Sequence, residues 1–342
     1  MCKTVKVQKR GVRRGKVKYF CSKCHKWFQV NRGERKASSA RLTLEHLDGI
    51  PFRALSDRYH LSLGTVYNKV SGFLKSLPHC ADITRQYCSR YCGILEVDGK
   101  YVKVKGYERK IPVIYGIDYQ THDIPTYILS ETEGYQSLVN FFSSLRLLNY
   151  PLNAVICDEN TCIFEAARYV YPNVIIQLCQ NHYKENIRRS LDTALNPHYI
   201  PFIQEIEELF SFKRNPDDFN RKAKIIYDKY QGDRLCSSIM VDIARNEGCL
   251  CGWRNGHNIP ITTNLIECFN SHLQGRLKTI KGFETFQHAD LWLNGYFIRR
   301  RLKKFTGCQG KFRRLNGYNS LQISQKLGID IPGYFNEKRD RF

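Results

Sequence analysis

An α/β fold, built on a mixed sheet and interrupted by an all-helical insertion, is predicted by three observations. Between residues 93 and 192 short apolar runs alternate with helical patterns in the order βββαβαβ. From 193 to 250 the chain turns helical and charge-mixed, with no strand signal. Ahead of both stand a Cys-x-x-Cys knuckle in basic sequence and three short helical patterns.

At 342 residues the length suits about two domains, and 42% hydrophobic with 13% aromatic residues is a globular composition. No stretch approaches the ~20 apolar residues of a membrane span, and the basic N-terminus lacks a signal peptide's apolar core. A cytoplasmic chain with no membrane partner is therefore expected. Its 54 Lys+Arg against 32 Asp+Glu give a net charge of +22. Such an excess attracts polyanions through counterion release, without sequence preference. The charge is also clustered. Residues 3–36 hold 13 Lys/Arg and one acid, Glu34, and residues 299–314 hold eight Lys/Arg and no acid. Nucleic acid is the expected partner; a solubilising surface is the plainer alternative. The 14 cysteines, without a signal peptide, read as reduced thiols. Most of them, Cys80, Cys88 and Cys157 among them, are expected to be small buried hydrophobes.

Residues 1–36 form a basic segment with Cys21-Ser22-Lys23-Cys24 followed by Trp27 and Phe28. Two cysteines so spaced, with aromatics behind them, make half of a zinc ribbon. Cys2 is placed to be the second cysteine of the other knuckle, but that knuckle's first cysteine would fall before Met1. A truncated ribbon, an upstream start, or completion of a Cys2, Cys21, Cys24 zinc site by His25 or water all fit. So does an unmetallated remnant.

Residues 37–80 read as a helix-turn-helix. A helix over 40–48 ends at Gly49, Pro51 suits the first position of a helix over 52–59, and Ser62 is a good N-cap for a third over 63–74. The third helix would enter the major groove with Thr65, Asn68 and Lys69. Generic helical packing is the competing view.

Strands are expected at 93–104, 111–119, 126–130, 154–158 and 174–178, with helices at 135–148 and 163–170. Short turns join the first three strands into an antiparallel meander. This order is ribonuclease H-like. It places strand one beside strand four, so Asp98 and Asp158, each ending an apolar run, would meet despite being 60 residues apart. The catalytic domain is thus expected over 90–192 and 251–306, around the 193–250 insertion, with a basic C-terminal tail at 307–342. Long helices are expected at 262–277 and 285–305. The former carries Glu267, with Arg276 and Lys278 near its end. Two strand-end aspartates and a helix glutamate commonly hold divalent metals beside a phosphodiester. As plainer readings, Glu267 caps a helix, Asp98 is surface charge, and Glu159 competes with Asp158. Asp118 and Glu133 are read as structural. Trp253 is either a core residue or a platform for a flipped base.

The motifs Glu96-Val97-Asp98-Gly99, Val155-Ile156-Cys157-Asp158, Cys179-Gln180-Asn181-His182 and Thr262-Thr263-Asn264-Leu265-Ile266-Glu267-Cys268-Phe269-Asn270 resemble those of DDE transposases, of the insertion-sequence and Mutator-like groups. The likeness extends over nearly the whole chain. The Thr-Asn run before the glutamate is its most specific part. The interval of 109 residues from Asp158 to Glu267 departs from the short spacing of retroviral-type members and fits a helical insertion.

That resemblance implies Asp98, Asp158 and Glu267 as the catalytic triad, holding two Mg²⁺ or Mn²⁺ ions with Asp98 between them. Water would cut the strand and the freed 3′-hydroxyl would attack target DNA, with no covalent protein intermediate. Cys179 and His182 alone are too few for a zinc site; packing, or a His182 contact to the scissile phosphate, is expected. Arg276, Lys278, Arg299, Arg300 and Arg301 are further candidate DNA contacts. Expected partners are the element's terminal repeats, target DNA and further copies of the chain. The alternatives are a transposase-derived DNA-binding regulator without activity, or a nuclease lacking strand transfer. No Arg/His/Arg/Tyr constellation of a tyrosine recombinase is recognisable among the 21 tyrosines.

Overall fold

The structure, a computed structural model, describes residues 7–13, 16–29 and 37–336. Strands β1 (Val7–Arg13), β2 (Lys16–Cys21) and β3 (Lys26–Gln29) form a three-stranded antiparallel sheet. Cys21 ends β2 and Cys24 lies in the tight turn to β3, so the knuckle closes a hairpin. Cys2 lies outside the described residues.

Helices α1 (Ser39–Leu47), α2 (Phe52–Tyr59) and α3 (Leu63–Ser76) follow the predicted spans to within two residues. The Ser62 hydroxyl accepts from the Thr65 amide at 3.1 Å, as an N-cap should. Pro51 is not the first residue of α2 but its N-cap. Helix α4 (Cys80–Tyr87), which the sequence did not suggest, leads into the main sheet.

That sheet contains β4 (Ile94–Val102), β5 (Ile111–Asp118), β6 (Tyr127–Leu129), β7 (Ala154–Cys157) and β8 (Ile175–Leu178). Their spatial order is β6-β5-β4-β7-β8. β4 runs antiparallel to β5 and parallel to β7, so the sheet is mixed. Helices α5 (Tyr135–Leu147), α6 (Thr161–Val170) and α7 (Gln180–Leu191) connect and follow the later strands. Then come α8 (Ile200–Leu209), α9 (Pro216–Tyr230), α10 (Arg234–Leu250), α11 (Asn264–Ile280), α12 (Phe286–Leu302) and α13 (Ser320–Ser324).

Side chains alternate across the strands, so each sheet face has its own core. One cluster joins Leu95, Val155 and Ile176 to α5, α6 and the insertion residues Phe202, Leu209 and Met240. The insertion is therefore fused to the sheet through shared packing. The second cluster joins Val113, Tyr115 and Ile117 to Leu47, Leu55 and Leu74 of the first three helices, and to Phe269, Trp292 and Phe297. Helix α12 brings these layers together. A Cβ on Gly295 would lie 2.3 Å from a Leu74 methyl, so a larger residue there would force Leu74 to move.

The segment after 306 is more than a basic tail. Ser320 and Ser324 each donate to buried Asp123, and the Ser89 and Arg90 amides donate to the Ser324 carbonyl. Arg301, expected at a DNA surface, is instead 1% exposed and pairs with Asp123 at 2.8 Å. A buried guanidinium held by a carboxylate is structural, so Arg301 leaves the set of DNA contacts.

Candidate active site

The β4–β7 pairing runs from Ile94↔Ala154 to Glu96↔Ile156. Two residues beyond the last of these pairs stand Asp98, in the middle of β4, and Asp158, just past the end of β7, on neighbouring parallel segments. Glu267 reaches them on the first turn of α11. Asp98 and Glu267 line one open cavity of about 590 Å³ with Lys100, Asn270 and Lys278.

The placing of α11 depends on Glu96, a residue given no role from sequence. Thr263 is the N-cap of α11 but makes no capping bond with its side chain. Buried Glu96 on β4 replaces it, accepting from the Ile266 amide at 3.0 Å. Burial pushes the Glu96 carboxyl up to about 8; the amides of Ile266 and Leu265 oppose that rise and the Glu267 charge adds to it. A carboxyl oxygen at a helix N-terminus satisfies amides that lack partners.

The Thr263 hydroxyl is thereby left for another partner. It lies 2.7 Å from Glu267 Oε1, 3.2 Å from Cys179 Sγ and 3.5 Å from His182 Nδ1. His182 Nε2 is 3.6 Å from Glu267 Oε1. Donor atoms of Cys179, His182 and Glu267 all fall within 4.8 Å of one another. Three ligands would suit a zinc ion, but the Cys179 sulfur already accepts from the Thr263 amide at 3.4 Å. The arrangement fits better as a brace that fixes the Glu267 carboxylate.

Asp98 is braced as well. It accepts from the Gly99 amide at 2.7 Å and from Asn270 Nδ2 at 2.5 Å. The Tyr115 hydroxyl in turn donates to Asn270 Oδ1 at 2.5 Å. Asn270 stands three residues after Glu267, on the same side of α11, a spacing that would have flagged it. Burial pushes the Asp98 carboxyl up to about 6; the Gly99 amide opposes this, and the charges of Asp158 and Glu133 add to the rise.

Glu133, expected to be structural, therefore belongs to the site. Tyr101 donates to it, and its Oε1 lies 2.5 Å from where a Cβ on Gly99 would stand. A Cβ on Gly99 would displace the Glu133 carboxyl. Asp118, by contrast, is structural as expected: it is buried and accepts from the amides of Cys92 and Thr121 and the hydroxyl of Tyr150. Glu159 turns to Asn186 on α7, which leaves Asp158 as the strand-end acid of the pair.

The other predicted residues lie elsewhere. Asn68 is exposed on α3, with Thr65 and Lys69 half-exposed. Lys278 lines the carboxylate cavity, whereas Arg276, Arg299 and Arg300 line a different one. The Trp253 ring is covered by Lys213 at 5.0 Å and Arg254 at 5.6 Å. Among the described residues no helix is long and apolar enough to cross a membrane.

The family model described as "Transposase, Mutator family" matches residues 82–289, more than half the chain and the span containing all three acids. The protein is a transposase, an enzyme class whose activity is of the polynucleotidyl-transferase type. Within that class, the chain belongs to the Mutator family. No curated protein matches it. Among solved structures it is similar to the "Drosophila P element transposase strand transfer complex", at 12% identity and a TM-score of 0.46, over 80% of this chain and 95% of that one.

Proposed function

We propose that this transposase cuts DNA at the ends of its element and joins the freed 3′-hydroxyls to target DNA, with Asp98, Asp158 and Glu267 as the catalytic carboxylates. The observation that supports this reading is that β4 and β7, adjacent and parallel, each lead two residues beyond their last pair to an aspartate, with Glu267 on the first turn of α11. The strand order β6-β5-β4-β7-β8 supports a ribonuclease H-like catalytic domain.

The donor set suits Mg²⁺ or Mn²⁺, because the carboxylates offer hard oxygen ligands and burial, with the charges of Asp158 and Glu133 adding to it, makes the charged form of Asp98 costly without a partner. Such ions, when held there, activate the attacking hydroxyl and neutralise charge on the leaving oxygen. The protein's own part is positional. Asn270 orients Asp98, and Thr263 orients Glu267. Lys278 and His182 are placed to meet DNA phosphates. Helix α3 presents Thr65, Asn68 and Lys69 to the element ends. Two ends must be brought together, so the active species contains more than one copy. Cys21 and Cys24 of the N-terminal hairpin, with Cys2 as a third ligand and His25 or water completing the set, hold zinc, a point checked by the zinc content of the chain against Cys24→Ser.

The deciding experiment supplies labelled terminal DNA with Mg²⁺ or Mn²⁺ against EDTA, beside Asp98→Asn. Metal-dependent joined products that vanish in the variant are expected. Tight binding without cleavage would assign the chain to DNA-binding regulation instead; cut ends that are never joined would assign it to nucleases.

A further inference from the structure

Helix α11 has two chemically different flanks. Glu267, Asn270, Ser271 and Lys278 face the carboxylate cavity. Cys268, His272 and Arg276 face a second cavity of about 540 Å³, walled by α12 and the segment after it. Positions 268, 272 and 276 form an i, i+4, i+8 stripe, separate from the stripe that carries Glu267.

The second cavity is strongly cationic. Arg276, Arg299, Arg300, Lys303 and Lys304 line it. Asp48 is the one acid among its described lining residues, and Arg299 takes it at 3.0 Å. Arg300 lies over Phe269 at 5.3 Å and Phe305 at 5.1 Å, and no hydrogen-bond acceptor among the described residues takes its guanidinium. Two further polar atoms of the lining residues, His122 Nε2 and Arg299 Nε, are buried without a hydrogen-bond partner among the described residues. Burial lowers the His272 pKa, and the charges of Arg300, Lys303 and Arg276 lower it further. So many like charges repel one another unless an anion joins them. A guanidinium clamped between two rings is pre-aimed for a phosphate's oxygens. The basic lining also runs on, past Phe312, into exposed Arg313 and Arg314, which suits an extended polyanion more than a small one.

We propose that this cavity is a second nucleic-acid site, which grips DNA backbone phosphates on the flank of α11 turned away from the carboxylates. It rests on the reading that DNA is the substrate, but not on the carboxylate chemistry. DNA held here and the strand being cut would lie on either side of one helix.

The test is binding of a short labelled duplex of arbitrary sequence by the full chain in EDTA, across a salt series. Removing one cation that binds a phosphate should lower the slope of log affinity against log salt by about 1. Arg300→Gln and the exposed Lys303→Gln are expected to show that drop, while Lys224→Gln on the insertion shows none. Lys303→Gln guards against misfolding of the half-buried Arg300 variant. In the unaltered chain, duplex should also slow alkylation of the exposed Cys268 thiol, with pyrophosphate at equal ionic strength having no such effect. Slopes that match the Lys224→Gln control overturn the proposal. Equal protection by pyrophosphate, with unchanged slopes, would assign the cavity to a small phosphate ligand and overturn it too. Because EDTA excludes cleavage, failure here leaves the catalytic reading standing, and failure of that reading leaves this one.

Discussion

Glu96 and Ile266, 170 residues apart, are joined by a 3.0 Å hydrogen bond from the helix amide to the buried carboxyl group. The bond pins the start of α11 to β4, next to Glu267 on one side and two residues before Asp98 on the other. Glu96→Ala would leave a buried amide unsatisfied, at a cost of about 1–3 kcal/mol, and would loosen Glu267. Lower thermal stability and weaker DNA cleavage are expected, with Glu96→Gln retaining most of both. Cleavage at full rate by Glu96→Ala would show that the pin is unimportant for catalysis.

Thr263→Val keeps the volume of the side chain but removes the hydroxyl that donates to Glu267. Cleavage should fall about tenfold or more, the equivalent of ~1.4 kcal/mol in the barrier, while Thr263→Ser restores it. Melting curves separate this effect from unfolding. A loss of activity matched by Thr263→Ser would point to packing by the methyl group rather than to the hydroxyl.

Glu133→Gln removes one of the charges crowding Asp98. The cleavage reaction of this variant should need more Mg²⁺ for half-maximal rate. Gly99→Ala should act the same way, because its new Cβ would stand where Glu133 Oε1 now approaches. A metal titration identical to that of the unaltered chain in both variants would return Glu133 to a structural role.

Arg301→Met leaves Asp123 as a buried, unpaired charge and is expected to cost about 3–5 kcal/mol. Replacing both partners with apolar residues should recover part of that loss. Urea unfolding of the two single variants and the double variant measures the coupling.

His46, buried on α1 and stacked on Phe52, has its pKa pushed down to about 4 by burial. The unfolded chain takes up a proton near pH 6.5 while the folded chain stays neutral to about 4. Stability is therefore complete above that window and falls as pH drops through it, by up to about 3 kcal/mol. Melting temperatures at neutral and mildly acid pH should show the fall, and His46→Phe should make it shallower.

Much of the architecture was legible because its signals are local. Ser62, the Thr-Asn run before Glu267 and the apolar runs ending at Asp98 and Asp158 report on their own elements. What stayed hidden depends on contacts between distant segments. Glu96 lies within an apolar strand, and only the docked helix reveals its task. Glu133 becomes a site residue because the loop after β6 folds over Gly99. Arg301 sits in a run of three arginines that look alike in sequence, yet α12 turns one of them inward to Asp123. Charge counts foresaw the basic surface, but burial decides which cations belong to it.

The shared core of sheet and insertion also sets an order of events during synthesis. Chains emerge N-terminus first, so both aspartates leave the ribosome long before the glutamate, which follows Asp158 by 109 residues. A nascent chain can form β4 and β7, yet the trio stays incomplete until the insertion helices have collapsed onto their face and α11 has found Glu96. The growing polypeptide thus lacks the last of the three acids until most of it exists. The long interval that separates the acids in sequence acts as a built-in delay.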